Sequence, residues 1–423
     1  MPRRESVQPN GKESAGTGAQ TFERLRQLAL DLFWEKGYRK TSTRDLAAAL
    51  GVQQASLYYY FNKKEELLYD ICYISLEQIV QSAELAAAES ADPLQALGAI
   101  ARMHLIATLE RQRQMLVSMY DYRSLSARYL ERINSFWTRY EQMVTSRYER
   151  AIAAGAMRSD IPHKYHYHAV MSMTNWAVLW YRADGELPLD ELGRIFSDIY
   201  VNGISCSRTG IKIRQFCSAA ADTESQPICE TRNETHARLL DTASQLFASG
   251  GYTTTSIREV AISMGIEKAS LYYYINSKDD LCHQIILSAH EHMLASLHAV
   301  LAGMEGAESR LLRFIVAHVC ALLEHKNWIA VATEQINFLE AHKRAQIVAL
   351  RDEYEQTVRA LLADAQAAGL VRADIPARYL GFALLGMITH IYPWYQEEID
   401  PPPQELAVLL ADILLNGIRQ RQG

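Results

Sequence analysis

The sequence predicts an all-α protein with two tandem lobes, each made of a small N-terminal three-helix domain and a larger helical body. Stretches rich in Ala, Leu, Glu, Arg and Gln favour helices, and the alternation of β-branched residues typical of strands is almost absent. The length of 423 residues exceeds what a single core usually holds. An internal repeat then fixes the number of lobes at two.

Five segments of the sequence recur at one constant offset. They begin at positions 37, 55, 155, 180 and 202, and their second copies begin at 251, 269, 369, 394 and 416. The segment ASLYYY at 55–60 is identical in its second copy. A constant offset over so long a stretch indicates duplication of a whole chain segment rather than of one motif.

The domain boundaries follow from this repeat and from local composition. Residues 1–20 are polar and are expected to form a disordered arm. A polar stretch that contains Ser-Gln-Pro at 225–227 predicts a linker between the lobes. We therefore predict N-terminal domains at 21–66 and 232–280, helical bodies at 67–205 and 281–423, and a linker at 206–231.

The first N-terminal domain has the pattern of three short helices. Apolar residues spaced by three and four over 22–33 predict an amphipathic helix. Ser42 and Asp45 have the capping-box spacing that starts a second helix, as Ser256 and Glu259 do in the second copy, and Gly51 supplies the turn after the first of these helices. A third helix is predicted over 54–61. Two helices joined by a glycine turn form a helix-turn-helix, whose second helix enters the major groove of DNA.

Three successive tyrosines lie on this third helix. With about 3.6 residues per turn they cannot all point inward, so we expect Tyr58 to be partly packed and Tyr59 and Tyr60 to be exposed. Packing of the tyrosines in the core is the alternative. Leu57 and Phe61 should face the core, which leaves a polar and aromatic surface able to reach base edges and phosphates.

The net charge of −6 does not point to a nucleic-acid binder, but local charge does. Residues 37–64 hold five basic side chains against Asp45 alone, a local charge of +4. Residues 251–278 hold three basic and two acidic side chains, a local charge of +1. The first N-terminal domain is therefore the more electropositive.

The strings GYxxTSxRDLA and GVxxASLYYYFxxKEELL resemble the DNA-binding domain of the tetracycline-repressor (TetR/AcrR) family. Both copies carry the pattern, and with the bodies the resemblance covers most of the chain. It implies a DNA-binding transcriptional regulator with two sets of DNA contacts. The first set comprises Thr43, Arg44, Gln53, Gln54, Ser56, Tyr58, Tyr59, Tyr60 and Lys64; the second comprises Arg258, Glu267, Lys268, Ser270, Tyr272, Tyr273, Tyr274 and Lys278.

The two copies differ where the third helix begins. Gln53 and Gln54 in the first copy correspond to Glu267 and Lys268 in the second. Glutamine can pair with adenine through two hydrogen bonds, whereas glutamate accepts from cytosine or repels phosphate. We expect an operator with two half-sites that are not identical. The alternative is a sensor or interaction protein in which one or both helix-turn-helix domains no longer bind DNA.

The bodies show long helical patterns, at about 64–87, 92–110, 124–154, 163–183 and 189–205, and again at the same offset in the second lobe. The family resemblance implies that the last two helices of each body form a four-helix dimer interface. The two lobes could then pair within the chain, since a flexible linker of about 26 residues reaches roughly 25–30 Å. Association of two or more chains into a higher oligomer is the alternative.

The first body has methionines and aromatic residues that suit an apolar pocket as well as an ordinary core. The same resemblance implies a small-molecule effector, and an acyl-coenzyme A is one candidate because arginines crowd this region. A solvated surface would explain those arginines equally. Trp180 and its counterpart Trp394 fit an interface as well as a ligand site. The candidate effector contacts are Met103, His104, Met119, Tyr120, Arg123, Trp137, Tyr140, Trp176 and Trp180.

The remaining patterns argue against other classes of protein. The histidines show no zinc-type i, i+4 pair with a glutamate base, and no phosphate loop or nucleophile motif occurs. We expect no metal, no cofactor and no enzymatic activity. The six cysteines are scattered and are expected to be reduced thiols. No long apolar run or signal core occurs, so the sequence predicts a cytoplasmic protein without membrane contact.

Overall fold

The structure is a computed structural model, and it describes residues 13–185, 187–204, 234–252, 254–302, 306–336 and 339–418. Every regular element in these ranges is helical, as the sequence predicts. The linker predicted at 206–231 lies outside them, and so does the predicted arm up to residue 12. The rest of that arm falls within the first helix, which begins at Glu13.

The first lobe has nine described α-helices. They are α1 (Glu13–Lys36), α2 (Thr43–Leu50), α3 (Gln54–Leu57), α4 (Lys64–Ala88), α5 (Pro93–Glu110), α6 (Gln112–Asp121), α7 (Ala127–Ala153), α8 (His163–Trp180) and α9 (Leu189–Ile204). A 3₁₀ turn at Tyr122–Ser124 follows α6.

The second lobe repeats this order in its described residues. Its helices are α10 (Glu234–Gly250), α11 (Ile257–Met264), α12 (Lys268–Leu271), α13 (Lys278–Leu301), α14 (Ala307–Glu324), α15 (Lys326–Gln335), α16 (Ala341–Ala367), α17 (Ala377–Thr389) and α18 (Pro403–Ile418).

Two features of the bodies differ from the sequence prediction. The short helices α6 and α15 were not predicted, because the preceding helix breaks at Arg111 and His325 without a Gly or Pro to mark the end. Helix α17 ends at Thr389, whereas its pattern extended to 397. Pro393 explains the early end, since proline removes a backbone donor and restricts the residue before it.

The described helices form two compact units. The first contains residues up to 80 and 110–138, and the second contains 81–109 and the residues from 139 onward. In the first unit, α1, α2 and α3 share a core in which Leu25, Phe33, Leu46 and Leu57 are almost fully buried. The N-terminal domain therefore has a tightly packed support for its outward-facing residues.

Short local signals set the ends of α2 and α11. Ser42 and Asp45 form the expected capping box at α2, and Ser256 and Glu259 form the same box at α11. Gly51 follows α2 with φ of 77°, in the left-handed region that favours glycine. The capping boxes predicted from the sequence are confirmed.

The second unit joins the last two helices of both lobes. Helix α8 packs against α17, and α9 packs against α18. Arg158, which is almost fully buried, forms ion pairs with Asp160 and with Asp412 of the other lobe. Arg372, its equivalent in the second lobe, forms ion pairs with Asp374 and with Asp198. Each lobe therefore supplies the carboxylate that neutralises the other lobe's arginine.

Trp180 at the end of α8 and Trp394, beyond the end of α17, also contact the opposite lobe. Trp180 stacks on Phe382 at 3.9 Å between ring centroids, and Trp394 stacks on His168 at 4.3 Å. The partners Phe382 and His168 also occupy equivalent positions of the two lobes. Each Trp thus packs against a ring of the opposite lobe, a contact that fits the interface alternative of the sequence analysis.

Glycine allows α9 and α18 to approach closely. A Cβ at Gly203 would collide with the backbone carbonyl of Ile413, and a Cβ at Gly417 would collide with that of Ile199. Because the obstacle is backbone, no rotation of a side chain can make room for it.

Among the described residues, no single helix has the length and apolar character needed to cross a bilayer. Helices α14 and α15 reach that composition only as a pair, and the chain turns by 87° between them.

We predict that Gly203→Ala destabilises the protein by about 1–3 kcal/mol, because the added methyl forces α9 away from α18. Chemical denaturation followed by circular dichroism measures this change. Gly381→Ala is the matched control, since its Cβ would lie 3.6 Å from the Leu362 side chain. An equal loss of stability in both variants, or no loss at Gly203, would contradict the prediction.

Candidate nucleic-acid interfaces and internal cavity

Residues 53–60 and 267–274, here called the reading segments, each follow a left-handed glycine turn. Helix α3 spans only Gln54–Leu57, which is shorter than the predicted 54–61. Beyond it the backbone continues as tight turns, with Tyr60 N donating to Leu57 O at 2.8 Å. This i→i+3 geometry is tighter than an α-helix and turns the tyrosines differently from the prediction.

The three tyrosines of the first reading segment differ in exposure. Tyr59 is 86% exposed and Tyr58 is 54% exposed, whereas Tyr60 is half-buried against the core. The prediction of an exposed Tyr59 is confirmed, but Tyr60 is more packed than expected. Tyr60 also contacts Tyr59 edge to face, with 5.3 Å between ring centroids. Tyr60 therefore supports the ring that is offered to solvent.

The predicted polar contacts of the first N-terminal domain are also open to solvent. Arg44, Gln53, Gln54 and Ser56 are exposed. Gln54 Nε2 donates to Thr43 Oγ1 at 2.8 Å, which joins the start of α2 to α3. This bond uses the amide nitrogen of Gln54, so the amide oxygen keeps acceptor capacity for a base or a water. The first reading segment thus combines an aromatic ring and amides with a neighbouring basic side chain.

Lys64 has a different immediate role from the predicted phosphate contact. Its ammonium donates to the carbonyls of Tyr38 and Thr41, both at 2.6 Å, and lies 4.1 Å from the centroid of the Tyr38 ring. Burial lowers the pKa of Lys64. The lysine fastens the start of α4 to the loop before α2. Its predicted contact with phosphate stays a prediction.

The second reading segment has the same shape with different chemistry. Tyr273 is 84% exposed and Tyr272 is 49% exposed, which matches Tyr59 and Tyr58. Glu267, Lys268 and Ser270 are also exposed. Lys268 lies 5.8 Å from the centroid of the Tyr272 ring. Both segments expose the same tyrosines, while the second presents a carboxylate where the first presents an amide.

The remaining predicted DNA contacts of the second lobe also resemble their counterparts in the first lobe. Arg258 is exposed on α11, and Tyr274 is half-buried like Tyr60. Lys278 lies 4.3 Å from the centroid of the Tyr252 ring, as Lys64 does with Tyr38. The structure therefore gathers each predicted set on its own N-terminal domain, and the two lysines also pack on that domain's loop.

A partly buried carboxylate ties the first N-terminal domain to α6. Asp121 accepts a hydrogen bond from Tyr38 N at 3.2 Å, and burial raises the pKa of Asp121 to about 6. Arg39 Nε donates to Ser124 Oγ at 3.2 Å in the next turn. These contacts were not predicted, because the partners lie far apart in the sequence. They join α6 and the turn after it to the loop before α2.

Each body contains a buried histidine network at equivalent positions. His104 contacts Tyr140 Oη at 3.1 Å and Asn175 Oδ1 at 3.0 Å. In the second lobe, His318 contacts Tyr354 Oη at 2.6 Å and Thr389 Oγ1 at 3.1 Å. Burial lowers the pKa of His104 to about 4 and that of His318 to about 3, so both imidazoles are neutral near pH 7.

The space beside these two networks differs greatly. The cavity beside His104 and Tyr140 measures about 10 Å³, which is at most room for one water. The cavity beside His318 and Tyr354, here called the second-lobe cavity, measures about 310 Å³. Its lining includes Trp176, Leu179 and Trp180 of α8, so the first lobe supplies part of the wall, and the polar residues Thr333, Thr389 and Arg351.

The effector contacts predicted from the sequence all lie in the first lobe, and only four of them line one of the two cavities. His104 and Tyr140 line the small cavity, and Trp176 and Trp180 line the second-lobe cavity. The others line neither cavity: Met103, Met119, Tyr120 and Trp137 are partly exposed, and Arg123 is exposed. The asymmetry could not be predicted, since both lobes carry the same His–Tyr pair.

Comparisons with known proteins agree with the duplicated architecture. The family described as bacterial regulatory proteins, tetR family, matches residues 25–71 and 239–285. The family described as tetracyclin repressor-like, C-terminal domain, matches residues 90–204 and 305–418, which is more than half of the chain. Both families therefore match twice, once in each lobe.

Individual relatives each match about one lobe. The HTH-type transcriptional repressor KstR2 of Rhodococcus jostii is 25% identical over 201 residues, 47% of this chain and 97% of that protein. The regulator PfmR of Thermus thermophilus is 33% identical with a TM-score of 0.40, and the match covers 42% of this chain and 97% of PfmR. AibR, solved with isovaleryl coenzyme A and operator DNA, is 21% identical with a TM-score of 0.38, and the match covers 44% of this chain and 97% of AibR.

We predict that Tyr59→Ala weakens binding to double-stranded DNA roughly tenfold, because an exposed side chain that contacts DNA contributes about 1–3 kcal/mol. Fluorescence anisotropy with fragments selected from random DNA measures the affinity. The free energy of unfolding should change by less than about 0.5 kcal/mol, since the ring packs little in the folded protein. Leu85→Ala, at another exposed apolar residue, is the control and should change neither quantity. Unchanged DNA affinity in Tyr59→Ala would contradict the prediction.

Proposed function

Because the chain belongs to the TetR family of bacterial regulatory proteins and carries the family's two domains twice, we propose that it is a transcriptional repressor that binds DNA as a single-chain pseudo-dimer. The exchanged ion pairs carry this proposal: Arg158 pairs with Asp412, and Arg372 pairs with Asp198. A two-fold interface requires each contact to occur together with its symmetry mate. The stacked Trp180 and Trp394 follow the same rule and add support.

The operator of such a pseudo-dimer would have two half-sites. Reading segments that enter successive major grooves are about 34–36 Å apart, one turn of DNA. Since the first segment starts with Gln53 and Gln54 and the second with Glu267 and Lys268, the half-sites would differ in sequence. A covalent pair can read an asymmetric operator in one orientation, which a homodimer cannot do.

The effector would occupy the second-lobe cavity. A volume of about 310 Å³ lies at the lower end of the range for small-molecule pockets. Its lining is largely apolar, and Thr333, Tyr354 and Thr389 bring hydroxyl groups to it. These features fit a small apolar molecule with a polar end, or the acyl part of an acyl-coenzyme A whose nucleotide remains outside. The corresponding space in the first lobe is too small for either.

Effector binding would release DNA by a shift between two states. The wall of the cavity belongs to both lobes, because α8 of the first lobe contributes Trp176 and Trp180 to it. A ligand that prefers a changed packing of α8 would alter the spacing of the reading segments, and both could then no longer engage one operator. Equal affinity for the two states would shift nothing, so the effector must discriminate between them.

A sensor in which the second reading segment no longer binds DNA is the second candidate function. The local charge of +1 and the exposed Glu267 favour it. The salt dependence of binding separates the candidates, because each phosphate contact contributes about 0.9 to the slope of log K against log salt.

We predict that one chain of 47.9 kDa binds one operator, and that Lys268→Ala flattens the salt slope by about 0.9. Light scattering measures the mass, and anisotropy over a salt series measures the slope. Lys326→Ala, at a lysine of the helical body, should leave the slope unchanged. A stable dimer of chains would contradict the single-chain pseudo-dimer, and an unchanged slope in Lys268→Ala would favour the sensor.

We predict that Thr333→Met weakens effector binding at least about tenfold, because the longer side chain fills part of the second-lobe cavity. Short-chain acyl-coenzyme A thioesters and their free acids are the probes. Calorimetry and tryptophan fluorescence measure their binding, since Trp176 and Trp180 line the cavity. Saturation at one molecule per chain is expected. Thr357→Met, on α16 but outside the cavity lining, is the control. Two molecules per chain, or no binding by any thioester, would contradict the corresponding part of the proposal.

A further inference from the structure

Two histidines and a glutamate meet where α13, α14 and α15 come together in the second lobe. His292 lies on α13, Glu324 ends α14, and His325 lies between α14 and α15. One ligand atom of each residue lies within 4.8 Å of the others, and His292 Nε2 lies 3.5 Å from Glu324 Oε2. The two imidazole rings meet edge to face, with 4.9 Å between centroids.

The donor set and spacing fit a divalent transition metal. Two imidazoles and a carboxylate are common ligands of Zn²⁺, and tetrahedral ligands at about 2.0–2.1 Å from the ion lie about 3.4 Å from one another. The separation of His292 Nε2 and Glu324 Oε2 is already close to that value. The His325 ring stacks on Trp328 with 4.0 Å between centroids, and its ligand atom lies within 4.8 Å of the other two.

The surroundings of His292 prepare one ring nitrogen for a ligand. Its imidazole donates to the carbonyl of Ala321, and Nε2 is buried and makes no hydrogen bond with any described atom. Metal-binding histidines usually donate their other N–H to a carbonyl or carboxylate in this way, which fixes the ring.

A second carboxylate connects this cluster to the second N-terminal domain. Asp241 lies on α10, the first helix of the second N-terminal domain, and its Oδ1 is 3.8 Å from His325 Nδ1. From there the carboxylate can orient the imidazole or supply a further oxygen. Helix α10 also packs against α13 and α15. The cluster therefore bridges the second N-terminal domain and its body.

The first lobe lacks this combination of residues. The positions equivalent to Asp241, His292 and His325 are Gln27, Gln78 and Arg111. Arg111 forms an ion pair with Glu110, the counterpart of Glu324, at 3.2 Å. A positive charge there replaces a ligand and excludes a cation, so the arrangement is specific to one lobe.

We propose that His292, Glu324 and His325 bind one divalent transition-metal ion, with Zn²⁺ as the expected metal, and that Asp241 completes or orients this site. Bound metal links α10 to the junction of α14 and α15 and so fixes the second N-terminal domain on its body. The sequence predicted no metal site, because His292 lies on a different helix from the adjacent Glu324 and His325, and the three have none of the usual ligand spacings. The proposal does not depend on the identity of the effector.

The test uses the untagged full-length chain after chelation of metals. Calorimetry with Zn²⁺ should give one site per chain, and Co²⁺ should give the visible absorption of a tetrahedral ion without thiolate ligands. His292→Gln and His325→Arg, which install the first-lobe residues, should each lower affinity at least tenfold. Zn²⁺ should raise the melting temperature of the original chain but not of these variants.

His298→Gln is the matched control, since His298 lies on the same helix near Glu353 and outside the cluster. It should bind metal like the original chain. Helical circular dichroism of each metal-free variant checks folding, and Glu324→Gln provides a further ligand variant with nearly unchanged shape. Absence of a stoichiometric site, a thiolate spectrum of Co²⁺, or equal affinity in His292→Gln and the original chain would overturn the proposal.

Discussion

The pairing of Arg158 and Arg372 with carboxylates of the opposite lobe is the constraint on which the arrangement of the last helices depends. A buried guanidinium without a partner is strongly destabilising, by about 3–5 kcal/mol when one member of a pair is removed. Each arginine already has an acidic neighbour two positions along the chain, in Asp160 or Asp374, and the opposite lobe adds the second carboxylate. Because the exchange is reciprocal, neither lobe can move away without breaking both pairs. The close approach at Gly203 and Gly417 then sets how deeply the helices interlock.

Duplication within one chain has allowed the lobes to differ wherever the shared interface does not require equality. The reading segments keep the same exposed tyrosines but differ at their first two residues. The buried His–Tyr pairs are the same, yet about 310 Å³ of space lies beside one and about 10 Å³ beside the other. The cluster at His292 has no counterpart in the described part of the first lobe. The contacts between equivalent residues are shared by the two lobes, whereas the reading segments, the cavities and the cluster at His292 differ between them.

The sequence predicted the features that depend on neighbouring residues. The capping boxes at Ser42 and Ser256, the exposed Tyr59 and the limits of most long helices depend on local patterns, and the constant offset revealed the duplication. The sequence did not predict α6 and α15, because no Gly or Pro marks the bend before either helix. The bonds of Lys64 to the loop carbonyls, the half-buried Tyr60 and the unequal cavities depend on distant contacts, which a single sequence does not display.

The interlocked glycines also bear on inheritance. Under the proposed pairing, the surface that another regulator of this family would use for dimerisation is already occupied within each molecule. Altered and normal chains made in the same cell would then form no mixed dimers. A defective allele would therefore be recessive and not dominant-negative. Repression would likewise persist when the protein is scarce, since dilution cannot separate halves that one peptide chain joins.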